Sequence, residues 1–453
     1  MGSKKPSNVN YIIKSLDDSS KAVDVMGGTP LIEYRESVFD HTIRIQTQIF
    51  DTGNVAPADD GSQGRIGLVD YLKLRGCETV EFKMTDAHGV SLDFGDSLRV
   101  NDISGQSTGP SQDSLSVELV SKELFDNKNS ENNVQRRDDG LISDTVNRIL
   151  TNDLKTERSL YIDATANTHS IQGLSGRPFD VILELQQLAK PTLGEHNRAQ
   201  TAGYYFWQTA KGYHFQSPDL LLERTNPKKY ILDYSSSPED DIKLPAGFYD
   251  KILDWSIKTT VNVESQMDRG AIGGITVSSF DYPTLEFNSE VYHPSDNTEK
   301  IFNGSWQALY GEYSEMTTQG INIWTSKGNA WDTRDSIELQ QEKATQPNIA
   351  DSTVALAQQN YRERVQQIAT ATVPGDFSLS AGDIIYCEIP QTSTKTAKTG
   401  SVNRNSGLYT ILELCHYITP TKTYTGLLLG RDQSFGVKDG NSGGLREWVW
   451  TSS

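Results

Sequence analysis

A few strings in this 453-residue chain carry the residue types that chemistry needs, and each can be weighed by spacing. Gly95-Asp96-Ser97-Leu98 spells the start of a serine-hydrolase motif. A serine hydroxyl attacks only when a base takes its proton, normally a histidine in a downstream Asp-x-x-His. None of the seven histidines (His41, His88, His169, His196, His214, His293, His416) has an Asp three places earlier; His416 has Glu413 there, as His293 has Glu290. Gly95-Asp96 therefore reads as a turn opening a strand from Leu98 to Ile103. Gly440-Asn441-Ser442-Gly443-Gly444 fits the nucleophile-elbow string, but no strand precedes it and no helix follows to build the strained turn. The 60 Asp and Glu residues offer many acid–base pairs, and no spacing singles one out. Walker A, HExxH, EF-hand and dinucleotide strings are missing from the sequence. Cys77, Cys387 and Cys415 are widely spaced without a CxxC pair, which fits neither a disulfide scaffold nor a zinc site. Cys415 alternates with apolar neighbours and reads as a small buried hydrophobe. His416 reads as pointing into a β core or pairing with a neighbouring strand. The expectation is a protein that is not an enzyme, with no catalytic, cofactor-binding or metal-binding residues.

Composition narrows the class. Hydrophobic residues make up 36 %, and Gly, Ser, Asn and Asp are plentiful, which suits β-rich domains joined by polar loops. The length implies two to four domains. No apolar run is long enough to cross a bilayer, and no apolar stretch follows Lys4 and Lys5 as a secretory signal would require. The chain reads as soluble, made in the cytoplasm and not inserted in a membrane. A net charge of −18 repels phosphate backbones and anionic lipid. Acidity serves solubility, and it also suits a tube through which DNA must slide without being held.

The elements that would position any site follow from periodicity. Ile43, Ile45 and Ile49 share one face of a strand while Arg44, Gln46 and Gln48 share the other; Val80, Phe82 and Met84, then Leu115, Val117 and Leu119, alternate likewise. Turn-rich pieces separate these strands, so a small antiparallel barrel is expected in the first 125 or so residues. Ile142, Val146, Ile149, Leu150 and Leu154 then recur at helical spacing, and a second helix runs from about Phe179 to Ala189. Tyr204 to Gln208 and Tyr213 to Gln216 form a hairpin candidate in which Gly212 supplies positive φ. Phe248, Ile252 and Trp255 mark a third helix. Strands return at Ile257 to Glu264 and Ile272 to Ser278, and polar sequence fills most of Phe287 to Lys343. A helix is expected from about Asp351 to Thr370, on Val354, Ala357, Tyr361, Val365 and Ile368. Strands follow at Asp383 to Ile389, Leu408 to His416 and Tyr424 to Leu429.

The order of these pieces resembles a known family, the baseplate hub proteins of contractile-tailed, T-even-like myovirus phages, and more distantly the hub portion of type VI secretion spike proteins. Several strings carry the resemblance: Ser175-Gly176-Arg177-Pro178-Phe179 opening a helix; the Gly212 hairpin followed by Phe215-Gln216-Ser217-Pro218-Asp219-Leu220; and Gly311-Glu312-Tyr313-Ser314-Glu315-Met316. The last part is the most telling, with Gly375-Asp376-Phe377-Ser378-Leu379-Ser380-Ala381-Gly382-Asp383, then Gly407-Leu408-Tyr409, His416 and Arg431-Asp432 in the family's order. These strings span Ser175 to Asp432, whereas the first 130 or so residues match only in being β-rich.

The resemblance implies an α+β, mainly β fold: two antiparallel β-barrel (tube-type) domains with an α/β middle region. The first barrel would be residues 1–130. The middle domain would be 131–245, joined by 291–369, and the second barrel would combine 246–290 with 370–432, leaving 433–453 as a tail. It implies a structural hub subunit of the virion tail baseplate, a homotrimer whose six barrels adapt a hexameric tail tube to a trimeric central spike. Partners would be a separate spike chain (no oligonucleotide-binding fold or β-helix follows before Ser453), tube and tube-initiator proteins and other baseplate proteins. DNA would pass through at genome ejection without specific binding. Two rivals stay open: a tail-associated cell-wall hydrolase, and a receptor- or glycan-binding tail protein using Trp306, Trp324 and Trp331, which otherwise read as buried between domains.

Overall fold

Period-2 alternation of apolar and polar residues builds most of the molecule. The computed structural model describes residues 7–18, 20–57, 65–108, 113–172, 175–192, 202–223, 227–232, 250–259, 263–268, 273–281, 286–292, 316–325, 353–354, 357–358, 360–361, 365, 367–390 and 405–431. First come β1 (Ser7–Lys14), β2 (Ala22–Asp24), β3 (Leu31–Ser37) and β4 (Arg44–Asp51). A tiny hairpin, β5 (Ala56–Pro57) with β6 (Arg65–Ile66), and helix α1 (Leu68–Leu72) lead to β7 (Thr79–Asp86), β8 (Ser91–Thr108) and β9 (Asp113–Ser121). The middle holds α2 (Lys122–Asp126), β10 (Arg137–Leu141), α3 (Ile142–Arg148), β11 (Ser159–Ile162), β12 (Thr168–Gln172), α4 (Pro178–Leu188), β13 (Tyr205–Thr209), β14 (Gly212–Gln216) and α5 (Pro218–Glu223). There follow β15 (Lys228–Leu232), β16 (Lys251–Ile252), β17 (Asp254–Thr259) and α6 (Val263–Asp268). Then come β18 (Gly274–Asp281), β19 (Glu286–Tyr292) and β20 (Thr317–Thr325). The last strands are β21 (Gln367–Pro374), β22 (Ile384–Glu388), β23 (Gly407–Ile418) and β24 (Thr423–Arg431).

The fold is mainly β, in several sheets. The largest has 14 strands in two sets of seven. One set runs β2-β1-β7-β8-β9-β4-β3 and the other β16-β15-β22-β23-β24-β21-β17. Written in chain order, the two sets have the same strand order, β1, β2, β3, β4, β7, β8 and β9 taking the places of β15, β16, β17, β21, β22, β23 and β24. Directions agree too, except at one strand: β1 is antiparallel to both neighbours and β15 parallel to both. Where the sequence predicts two separate barrels, the structure joins both sets in a single sheet, because the second half of β23 pairs with β3. That joint puts both sets around one continuous apolar core, which includes Tyr11, Ile45, Phe82 and Leu119 from the first and Tyr230, Val373, Phe377 and Leu414 from the second. Each such fully buried side chain contributes roughly 1.5–3 kcal/mol.

Detail repeats as well as order. One residue bulges from β8 between Val100 and Asp102, and one from β23 between Ile411 and Glu413. Ahead of β7, the Cys77 N–H donates to the Val100 carbonyl (2.7 Å) and Val100 N–H to the Glu78 carbonyl (3.1 Å); Gly382, Ile411 and Asp383 repeat the exchange at 2.9 Å and 2.9 Å. The Glu78 carboxylate accepts from the Arg75 N–H at 2.5 Å, and the Asp383 carboxylate from the Ser380 N–H at 2.8 Å. Leu74-Arg75-Gly76-Cys77-Glu78 is thus the structural counterpart of Leu379-Ser380-Ala381-Gly382-Asp383.

The middle region has its own core of Ile142, Val146, Leu150, Phe179, Ile182 and Phe215 among others. The expected helices at Ile142 and Phe179 are present; the first passes through a π turn, Ile149–Asp153, before ending. The expected hairpin is β13–β14. Gly212 does take positive φ (+149°), and the tighter demand is space, since a Cβ there would lie 2.1 Å from the Ser159 carbonyl of β11.

Four expectations need correction. Ile252 and Trp255 lie on strands, not on a third helix. The chain bends at Leu253, whose N–H donates to the Thr372 carbonyl (2.7 Å), so residues three apart both meet the core. The strand from Ile257 gives way to α6 before Glu264. The helix through Tyr361 stops short of Thr370, because Ile368 and Thr370 already belong to β21, paired on both sides by β17 and β24. Tertiary pairing overrides a fortuitous helical spacing there. The stretch read as polar after Phe287 contributes β19 and β20 to a separate three-stranded sheet, ordered β19-β18-β20.

Candidate functional site

The serine strings resolve simply. Gly95 sits at a register shift inside β8, with φ +49°, rather than in a turn before a strand. The Ser97 hydroxyl donates to the Phe94 carbonyl (2.5 Å) and accepts from the Arg158 guanidinium. Ser442, Trp306 and Trp331 lie outside the described residues, and Trp324 lies on β20. Among the described residues no group of His, Cys, Asp and Glu is placed to hold a metal ion, and no helix is long and apolar enough to cross a membrane.

His214 and His416 are packing residues. His214 stacks between Tyr161 (4.7 Å) and Trp207 (4.8 Å), with its nitrogens at Thr209 Oγ1 and Gln216 Oε1, and burial lowers its pKa to about 4. His416 is fully buried, as expected, and stacks on Tyr34 (5.7 Å) with Phe377 at 4.7 Å. Its Nδ1 meets Thr425 Oγ1 of β24 at 2.8 Å, and burial pushes its pKa down to about 3. Cys415 departs from its reading: it is half-buried on the outward face of β23 with Glu413 and Tyr417, its thiol pushed up to about 11 by burial.

Of the strings behind the resemblance, Gly311 to Glu315 lie outside the described residues, Ser175 to Phe179 opens α4 of the middle region, and those from Gly375 onward pack within and beside the second strand set. Asp376 is buried and accepts from Lys228, Tyr230 (2.7 Å) and its own turn at Ser378. Burial pushes this carboxyl up, but the bonds from Lys228, Ser378 and Tyr230 prevail and hold it below the ordinary range. Asp376 N–H donates to Thr425 Oγ1 (3.1 Å), and Phe377 N–H to the Asp86 carboxylate of β7 (3.1 Å). Gly382 takes φ +90° and faces the Trp207 ring, where a Cβ would come within 2.5 Å of Cζ2; Trp207 Nε1 donates to the Ala381 carbonyl (3.0 Å). Gly407 leaves room for the Arg431 guanidinium, which lies 4.6 Å over the Tyr409 ring and donates to Gln367 Oε1 and the Ser406 carbonyl.

Glu36, at the end of β3, ties three parts together. It accepts from the Tyr34 hydroxyl, the Ala210 N–H of the β13–β14 turn (2.8 Å) and the Ala381 N–H (2.9 Å). Burial raises its pKa to about 7 despite those donors. Sequence reading missed Glu36, since nothing in Tyr34-Arg35-Glu36-Ser37 marks one alternating residue as a three-way anchor. It also missed the Leu74–Glu78 repeat, for which the leucine and acid four residues apart were a usable signal.

The outward face of β3, β4 and β9 is polar. Leu31, Glu33, Gln46, Gln48, Ser114 and Ser116 line a shallow hollow there. Arg44 beside it is tied to Asp40 (2.9 Å) and Glu118 (3.0 Å), and Arg35 to Glu33. The cations on this face are neutralised in place.

With this geometry in hand, comparison with solved structures gives the fold a reference. A 43 kDa prophage tail protein from Shewanella oneidensis superposes with a TM-score of 0.54 at 8% identity, covering 95% of this chain and 100% of that one. The chain has the fold of a phage tail protein. A tail protein from Neisseria meningitidis matches at TM-score 0.48 and 10% identity, over 94% of this chain and 97% of that one. A component of the E. coli type VI secretion system, described as structurally similar to bacteriophage tail proteins, matches at 0.38 and 9% identity, over 90% and 75%. No protein-family model and no curated protein matches the chain.

Proposed function

We infer that this tail-protein fold serves as a structural, non-enzymatic baseplate hub, a homotrimeric ring in the virion tail that joins a sixfold tail tube to a threefold spike. The observation that carries the reading is the repeated strand order, β2-β1-β7-β8-β9-β4-β3 and β16-β15-β22-β23-β24-β21-β17, within one chain. Two like lobes per chain let three chains present six similar faces, so a threefold ring meets a sixfold partner without a mismatch. Each lobe takes the part of a tube-type barrel domain: residues 1–130 for the first, and for the second 246–290 with 370–432, extended to take in β15 (Lys228–Leu232) and leaving β18 and β19 to their separate sheet, with the middle region outside. Support for closure in the second lobe comes from its pairings, which pass from β15 through β22, β23, β24 and β21 to β17, the direct continuation of β16, itself paired to β15.

The charge fits a conduit. A net charge of −18 disfavours DNA binding, and on the polar outward face of β3, β4 and β9 the arginines Arg35 and Arg44 are already paired with carboxylates. Spike, tube, tube-initiator and other baseplate proteins are the partners this role requires. Light scattering on the purified chain tests the ring directly: three times the chain mass is expected for the chain alone, or that mass plus the spike's when the spike partner is added, and monomer under both conditions would sink the hub reading.

A further inference from the structure

The junction inside the chain has a counterpart left open at its ends. Strand β23 is long; its first half pairs with β22, and its second half, Glu413 to Ile418, pairs antiparallel with Ser37 to Ile32 of β3. In the other lobe β8 takes the place of β23, and it is also long. Its first half, Ser91 to Arg99, pairs with β7, while among the described residues no strand pairs with that same edge from Asn101 to Thr108. Strand β17 takes the place of β3, and among the described residues its edge away from β21 has no strand partner. One lobe therefore offers an unused socket and the other an unused plug, of the kinds that already fit together within the chain.

Resting on the ring reading above, we propose that β17 of one subunit pairs antiparallel with the second half of β8 of the next, repeating the β3–β23 junction between chains. The occupant of each edge is a second copy of this protein. Such a contact is heterologous, because the two surfaces differ, and heterologous contacts propagate in one sense until they close a ring. Pairing also removes two exposed strand edges that would otherwise invite non-specific association.

The register follows from the shared ladders. Leu428 and Glu118 occupy equivalent places after the two bulges. Hence Cys415, opposite Gly426, corresponds to Ser104, opposite Ser116; Tyr417, opposite Tyr424, corresponds to Ser107, opposite Ser114. On the other strand, Arg35 opposite Arg44 corresponds to Thr259 opposite Ile368, and Glu33 opposite Gln46 to Ser256 opposite Thr370. Since Cys415 faces Arg35 and Tyr417 faces Glu33 within the chain, Ser104 should face Thr259 of the next subunit, and Ser107 should face Ser256. Directly opposed residues of antiparallel strands lie close enough for a disulfide.

The test uses the full-length double variants Ser104→Cys/Thr259→Cys and Ser107→Cys/Ser256→Cys under mild oxidation. The single variants, which retain Cys77, serve as controls, and Ser104→Cys/Asp254→Cys serves as an out-of-register pair. Covalent species of two and three chains, and none larger, are expected for at least one in-register pair, several-fold above every control. A trimer by light scattering with no crosslink above the controls in either in-register pair overturns this contact and leaves the ring reading standing. Crosslinked species larger than three chains keep the strand pairing and overturn the trimer. Parent and variants that remain monomeric overturn both.

Discussion

At His416, burial and aromatic packing on Tyr34 and Phe377 oppose protonation, and the side chain holds Thr425 as a neutral ring. Its folded pKa, about 3, lies below the ordinary histidine value of 6.5, so the unfolded chain binds the proton first. The stabilisation is fully present above pH 6.5 and is lost as pH falls toward 3. From pH 6.5 to 4 that amounts to ~3 kcal/mol. His214, lowered to about 4, adds to the loss, and Glu36, raised to about 7, acts in the opposite sense. His416→Phe keeps a ring against Tyr34 but cannot titrate, so urea melts of the variant should lose markedly less stability between pH 6.5 and 4 than the parent. Equal pH slopes would show that this residue does not control acid stability. That His416 points into the core was one of two readings of the sequence; its ring partners were not legible, because Tyr34 comes from the far lobe.

At the scale of elements, the strands whose two faces differ most in polarity were legible, as β4 and β7 illustrate. Trp255 and Ile368 misled because spacing by three or four arises in a bent strand as readily as in a helix, and only the pairing with β21 and β24 decides between them. The junction was hidden for a related reason. Glu36 reads as one polar residue on a strand, yet it receives donors from its own strand, from the β13–β14 turn and from the loop before β22. Glu36→Ala would leave buried donors unsatisfied, and a loss of about 3 kcal/mol is expected. Glu36→Gln retains an acceptor and should lose less, about 1 kcal/mol. Denaturant melts of both variants check the order, and an alanine variant as stable as the parent would show that the three elements are held by packing alone.

For the whole molecule, sequence order carried the likeness to hub proteins, and the repeated strand plan gives that order a physical basis. The strings from Gly375 to Arg431 have structural roles in this chain: Gly382 and Gly407 clear space for Trp207 and Arg431, and Asp376 gathers Lys228 and Tyr230. The duplication itself could not be seen in residue identity, since a sheet asks only for alternation and many side chains satisfy it. What the proposed ring requires is that lobes from different chains stand as the two lobes of one chain stand. Electron-microscope images of the purified oligomer, averaged without imposed symmetry, test this most directly. The expected particle is a closed ring around a central hole, with six similar lobes at near-equal angles and threefold true symmetry. A particle with no hole, or with lobes at unequal angles, would contradict it.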